Sequence, residues 1–171
     1  MDKNFNAAAA DQKPLLGELS EAVYAGDFKK AKELLERGAD PDERSTARRD
    51  VPPLLLSIME FSGLEMIGLL LDHGADINIT RSHDFTPLIQ AVFDYRADVA
   101  LLLVERGARL DMRNSFGLTA SKLAKSISQY KVAAMIEQYA AHAAAAEKHG
   151  LLQSQARPKL KIRPAGGRDV P

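Results

Sequence analysis

The sequence contains no cysteine and no tryptophan, and aromatic residues make up only 6% of it. Without cysteine there is no disulfide framework, no thiolate zinc site and no cysteine nucleophile, a composition that fits a reducing compartment. An excess of one charge is also missing. The 23 lysines and arginines meet 23 aspartates and glutamates, so no overall field draws the chain to nucleic acid or to an anionic membrane. No stretch approaches the roughly 18 uninterrupted apolar residues of a membrane span, and residues 1–14 hold no apolar run of signal-peptide length. A cytoplasmic protein, neither secreted nor membrane-spanning, is the expectation.

Catalytic patterns are absent as well. The four histidines, His73, His83, His142 and His149, have no metal-ligand spacing. There is no His-Glu-x-x-His helix, no Gly-x-x-x-x-Gly-Lys loop and no Gly-x-Ser-x-Gly elbow. The carboxylates Glu65, Asp98 and Glu137 fall on helix faces expected to be wet, and no acid and base pair can be named from them. The sequence therefore predicts neither an enzyme nor a bound cofactor or metal ion.

What the chain does contain is self-similarity. Arg37-Gly38-Ala39-Asp40-Pro41-Asp42 returns as His73-Gly74-Ala75-Asp76-Ile77-Asn78 and as Arg106-Gly107-Ala108-Arg109-Leu110-Asp111, with glycines 36 and 33 residues apart. A second element keeps the same phase: Pro52-Pro53-Leu54-Leu55, Thr86-Pro87-Leu88-Ile89 and the degenerate Thr119-Ala120-Ser121-Lys122. From Gly74 to Pro87 and from Gly107 to Ala120 the step is 13, whereas Gly38 to Pro53 is 15. The longer interval thus carries two extra residues around Arg44 to Asp50 and a third near Phe61 to Gly63.

Each element has a physical reason. Thr86 can cap a helix whose first turn tolerates Pro87, since that position has no partner for the missing N–H. Leu69 to Leu71 and Leu101 to Leu103 are too apolar for a lone surface helix and make sense when flanking units cover them. Gly38, Gly74 and Gly107 then end these helices, because a left-handed cap costs least without a Cβ.

These blocks resemble the ankyrin repeat family, whose period is about 33 residues, and the resemblance covers roughly Leu15 to Tyr139. It implies an all-α fold: an ankyrin-repeat solenoid of about four stacked helix-turn-helix units with short hairpin loops. The expected organisation is a flexible segment at 1–12, a repeat domain at 13–148 and a basic flexible tail at 149–171. Within the domain, 13–42 is an N-terminal cap, 43–78 and 79–111 are internal units, and 112–148 is a C-terminal cap. Its last helix is prolonged by the alanine-rich run from Ala140 to Ala146.

By the same resemblance, binding uses the hairpin tips and the ends of the first helices, which line a concave surface. The positions that match are Arg48, Arg49, His83, Phe85 and Phe116 at the tips, and Tyr24, Met59, Glu60, Phe93 and Asp94 on the helices; Arg113, beside a tip, is a candidate for its charge. Tyr24, Met59, Phe85, Phe93 and Phe116 either anchor a partner's side chains or fill gaps between neighbouring helices. Arg44, Arg48, Arg49, Arg81, His83 and Arg113 offer a basic rim, although Asp42, Glu43, Asp50 and Asp84 interleave with them as a solvated mixture would. The tail holds Arg157, Lys159, Lys161, Arg163 and Arg168 against Asp169, a net +4 that leaves −4 for residues 1–148.

The leading expectation is a monomeric, non-catalytic module that binds a protein partner through the concave face and tips, for example as an inhibitor or immunity-type protein. The alternative is a nucleic-acid-associated adaptor whose basic tail touches phosphates, with an affinity that falls steeply as salt rises.

Overall fold

A computed structural model describes residues 17–44 and 50–148 of the 171. The segment expected to be flexible at 1–12, the tip arginines Arg48 and Arg49, and the tail at 149–171 lie outside the described residues.

Short and slightly longer helices alternate along the chain: α1 (Glu18–Tyr24), α2 (Phe28–Glu36), α3 (Pro53–Met59), α4 (Leu64–Asp72), α5 (Pro87–Phe93), α6 (Ala97–Glu105), α7 (Ala120–Ser126) and α8 (Tyr130–Lys148). Each odd-numbered helix pairs with the even-numbered helix that follows it. The odd-numbered helices also pack on one another in series, α1 on α3, α3 on α5 and α5 on α7. The even-numbered ones form a second, looser row. The first row is the tighter, and it is the row that the resemblance places on the inner, concave side. Among the described residues the strand content is one isolated antiparallel bridge, Arg81 to Phe85, at the base of a tip.

Local chemistry sets the helix ends. Thr86 Oγ1 accepts from the Ile89 N–H at 3.2 Å with Pro87 in the first turn, and Thr119 Oγ1 accepts from Lys122 N–H at 3.4 Å. Asp27 caps α2 through Lys30 N–H at 2.9 Å. At the other end the backbone turns left-handed at Gly38, Gly74 and Gly107 (φ 88, 92 and 97°). The next amide then reaches back to the helix, Ala39 to Leu34, Ala75 to Leu70 and Ala108 to Leu103, which satisfies carbonyls the helix leaves open. The turn between α3 and α4 has one residue more than the other turns between paired helices, where the sequence placed its third insertion.

The interior is almost wholly aliphatic. Leu19, Leu54, Leu55, Ile58, Ile67, Leu70, Leu88, Ile89, Leu103 and Ile136 are fully buried. In each leucine triplet only Leu70 or Leu103 is completely enclosed; Leu69, Leu71 and Leu102 are partly covered and pack against the core. Of the nine aromatic residues among the described residues, seven are exposed and only Phe85 is buried, so ring burial contributes little to the described core.

Polar ties join successive units. Both carboxylate oxygens of Asp42 accept from Asp76 N–H at 3.0 Å, and Asn78 Oδ1 accepts from Arg109 N–H at 2.8 Å, the same contact one unit later. Gln129 Nε2 donates to Val92 O at 2.7 Å, and Arg106 pairs with Asp72 at 2.7 Å. Glu43, expected among solvated loop charges, is instead buried. Its carboxylate accepts from Gly17 N–H (2.9 Å), Ser20 N–H (2.8 Å) and Ser20 Oγ (2.8 Å). It caps α1 from the following unit, because Gly17 at the N-cap offers no side chain to do so.

Candidate functional site

The inner surface is built on α5 and the tip before it. Phe85 forms the bridge with Arg81 just before the helix; Gln90 and Phe93 lie along the helix and Asp94 caps its C-terminal end. The rings of Phe85 and Phe93 meet edge to face, with centroids 5.6 Å apart and planes at 84°. The Arg81 guanidinium lies over the Phe85 ring, 5.3 Å from its centroid. Its Nε and Nη2 donate to Gln90 Oε1 at 3.1 and 2.7 Å, and Gln90 Nε2 donates to Asp94 Oδ2 at 2.6 Å. Arg81, Gln90 and Asp94 therefore form one line of hydrogen bonds beside the two rings.

Phe93 stands 52% exposed over this arrangement. Phe85 does not match the expectation of an apolar group left in water: it is 8% exposed. Arg81 and Phe93 both lie against its ring, so it supports the surface from beneath.

A second cluster joins two tips. His83 and Phe116 stack with planes 4° apart and centroids 6.2 Å apart. Ser115 N–H donates to His83 O at 3.0 Å, and Ser115 Oγ donates to Asp84 Oδ2 at 2.9 Å. Phe116 is among the most exposed apolar side chains of the described residues. Its loop is shaped by Asn114, whose buried Oδ1 accepts from Phe116 N–H (3.1 Å) and Leu118 N–H (3.0 Å).

Other candidates stand apart from these two groups. Tyr24 and Glu60 are exposed and Met59 half-buried at the ends of α1 and α3. The described rim arginines are engaged with their own chain. Arg44 donates to Asp50 O at 3.1 Å and Thr80 O at 2.9 Å, Arg81 to Gln90, and Arg113 to Gly117 O at 2.9 Å. They stitch loops together more than they present free cations.

Two groups of residues escaped the reading of the sequence. Gln90 was visible only as one polar residue in an otherwise apolar helix. Phe61 and Tyr95, 67% and 66% exposed, occupy the turn position that Gly26 holds in the first unit, a signal that appears once the turns are aligned. Among the described residues, no group of three or more His, Cys, Asp or Glu is arranged to hold a metal ion, and no helix is long and apolar enough to cross a membrane.

Paired short helices stacked in register, with capped helix starts, define a helical repeat protein. A family model for three copies of ankyrin repeats matches residues 19–114, and the chain belongs to the ankyrin repeat family. It is 30% identical over 129 residues to human cyclin-dependent kinase inhibitor 2A, covering 74% of this chain and 80% of that protein. The protein of the same name from Monodelphis domestica is 29% identical over 122 residues, 71% of this chain and 69% of that one. A fowlpox virus protein named for its ankyrin repeats is 26% identical over 149 residues, 68% of this chain, and the match covers only 20% of that much longer protein. Ankyrin repeats are in general protein–protein interaction modules.

Proposed function

We propose that this protein binds a protein partner through its concave surface, with Phe93 as the central anchor and the His83–Phe116 stack as a second contact. The observation that carries this reading is Phe93 itself: a half-exposed ring on the inner row of helices, braced by a buried ring and flanked by an ordered line of polar groups. A rigid aromatic on an ordered base loses little freedom on binding, which is what an anchor residue requires. In this reading Arg81, Gln90 and Asp94 fix the ring and offer hydrogen bonds around it, and Tyr24, Met59 and Glu60 extend the contact toward α1. The tip arginines Arg48 and Arg49 belong to the same reading on the resemblance alone.

An inhibitory form of this role draws on the two relatives named as cyclin-dependent kinase inhibitors, more than two thirds of whose length the chain matches. The protein would then cover part of an enzyme's surface without chemistry of its own. Titrating the purified protein into a panel of cyclin-dependent kinase assays tests this form. Inhibition that Phe93→Ala and Phe116→Ala both relieve supports it, and unchanged activity across the panel removes it. The broader reading is tested by capturing partners on the wild-type protein and repeating the capture with the Phe93→Ala, Phe116→Ala double variant. Equal recovery on both proteins would overturn the concave-face assignment.

A further inference from the structure

The turns between paired helices share one backbone requirement. Their second residue is left-handed in all four units: Gly26 (φ 68°), Phe61 (φ 55°), Tyr95 (φ 59°) and Ser128 (φ 63°). In each, that residue's N–H bonds three residues back and the next N–H five residues back, as in Phe61 to Ile58 and Ser62 to Ser57, or Tyr95 to Val92 and Arg96 to Ala91. Glycine suits this position best, and a bulky aromatic there is an outlier. Burial does not compensate for the strain, because both rings are about two-thirds exposed. The two middle units thus hold large apolar groups in water, at a position where the fold favours glycine.

The surroundings of these rings indicate what they would receive. Arg96 sits with its guanidinium 5.7 Å from the Phe61 ring centroid; its Nη1 donates to Ile58 O at 3.5 Å and its Nη2 pairs with Asp98 at 3.6 Å. Its side chain is nearly enclosed, so it orients the ring, and its charge is already matched. Glu60 and Glu65 flank Phe61, and Asp94 and Asp98 flank Tyr95, which leaves the two middle turns with four carboxylates against that single cation. The outer turns lean the other way: Lys29 and Lys30 against Asp27 after Gly26, and Lys125, itself paired with Glu137, and Lys131 about Ser128. The negative aromatic strip is therefore two units wide and bounded by lysines.

We propose that this turn edge is a second docking surface, adjoining the concave face at Glu60 and Asp94, which takes an extended basic segment of a partner protein, with Phe61 and Tyr95 as platforms for its arginine or lysine side chains. Aromatic faces attract such cations, and the nearby carboxylates add to the attraction. Stacked helices lie about 8–10 Å apart, and in a polyproline II segment three residues rise about 9 Å and bring the side chain back to the same face. The surface thus selects basic residues three positions apart.

The test uses the full chain and a labelled peptide carrying two arginines separated by two serines, followed by fluorescence anisotropy. A matched peptide with glutamates in place of the arginines, and another with the arginines adjacent, serve as comparisons. The spaced basic peptide should bind in a salt-sensitive manner, the glutamate peptide should not bind, and the adjacent-arginine peptide should bind more weakly. The Phe61→Gly, Tyr95→Gly double variant should weaken binding on the order of tenfold with a thermal midpoint unchanged or raised, because glycine relieves both left-handed positions. No binding of the spaced basic peptide to the wild type, equal binding of the acidic peptide, or undiminished binding by the variant would each overturn the proposal. A midpoint lowered by several degrees would do so too, since it would make the rings parts of the fold.

Discussion

Phe85 and Phe93 share one edge-to-face contact, yet only Phe93 is open to solvent. Alanine at the two positions should therefore have different consequences. Phe85→Ala removes a buried ring and should cost about 3–5 kcal/mol of stability. Phe93→Ala loses mainly the ring pair, about 0.5–1.5 kcal/mol, while weakening partner binding by more than about 1 kcal/mol. Chemical denaturation alongside a binding titration separates the two effects. A stability loss at Phe93 as large as that at Phe85 would make Phe93 a core residue.

Glu43 satisfies three donors at the start of α1 from 23 and 26 residues away. Glu43→Ala leaves them without a charged acceptor and should destabilise the fold by about 1–3 kcal/mol. The loss should be local first. Hydrogen exchange should accelerate in α1 before α3 or α5, as expected where each unit leans only on its neighbour. Uniform acceleration across all helices would contradict this.

Burial, with the Asp76 and Asp40 carboxylates beside it, raises the Asp42 carboxyl above its ordinary value despite the Asp76 N–H that it accepts. A raised carboxyl favours the protonated folded state, so ionised Asp42 opposes folding above its folded-state value, and the penalty fades as pH falls through the ordinary aspartate range. Asparagine keeps the acceptor, as Asn78 does for Arg109 N–H. Asp42→Asn should therefore stabilise the protein slightly at neutral pH, by at most about 0.5 kcal/mol because solvent screens this partly exposed group, and by less as pH falls into the ordinary aspartate range. A variant less stable than wild type at pH 7 would refute this.

Ala120 opens α7 at the position that Pro53 and Pro87 occupy in α3 and α5. Thr119 already has the extended backbone of Thr86, with φ −77° and ψ 165° against −80° and 163°. Ala120→Pro should then stabilise the fold by about 0.4–1 kcal/mol, chiefly by restricting the unfolded chain. Thermal melting measures the gain, and a lowered midpoint would show that the fourth unit cannot accept the ring.

The repeat was legible because its markers act locally. Thr86 and Pro87 start a helix and Gly74 ends one using only adjacent backbone, so their spacing reports the architecture directly. Long-range relationships were not legible in the same way. Glu43 looks like one more loop acid until α1 is folded back against it. Phe85 looks like a tip residue until the chain turns it beneath Arg81 and Phe93. Phe61 and Tyr95 fell between these cases, since their strain follows from alignment with Gly26 but their exposure required the fold.

The closer packing of the odd-numbered row has a mechanical consequence. The opening of the cupped side is governed by how far apart α1, α3, α5 and α7 are held, hence by the bulk of enclosed side chains such as Leu55 and Ile89. Trimming or enlarging one of these should alter that opening, so any recognition surface on the cupped side would be tunable from deep inside without a change to its own residues.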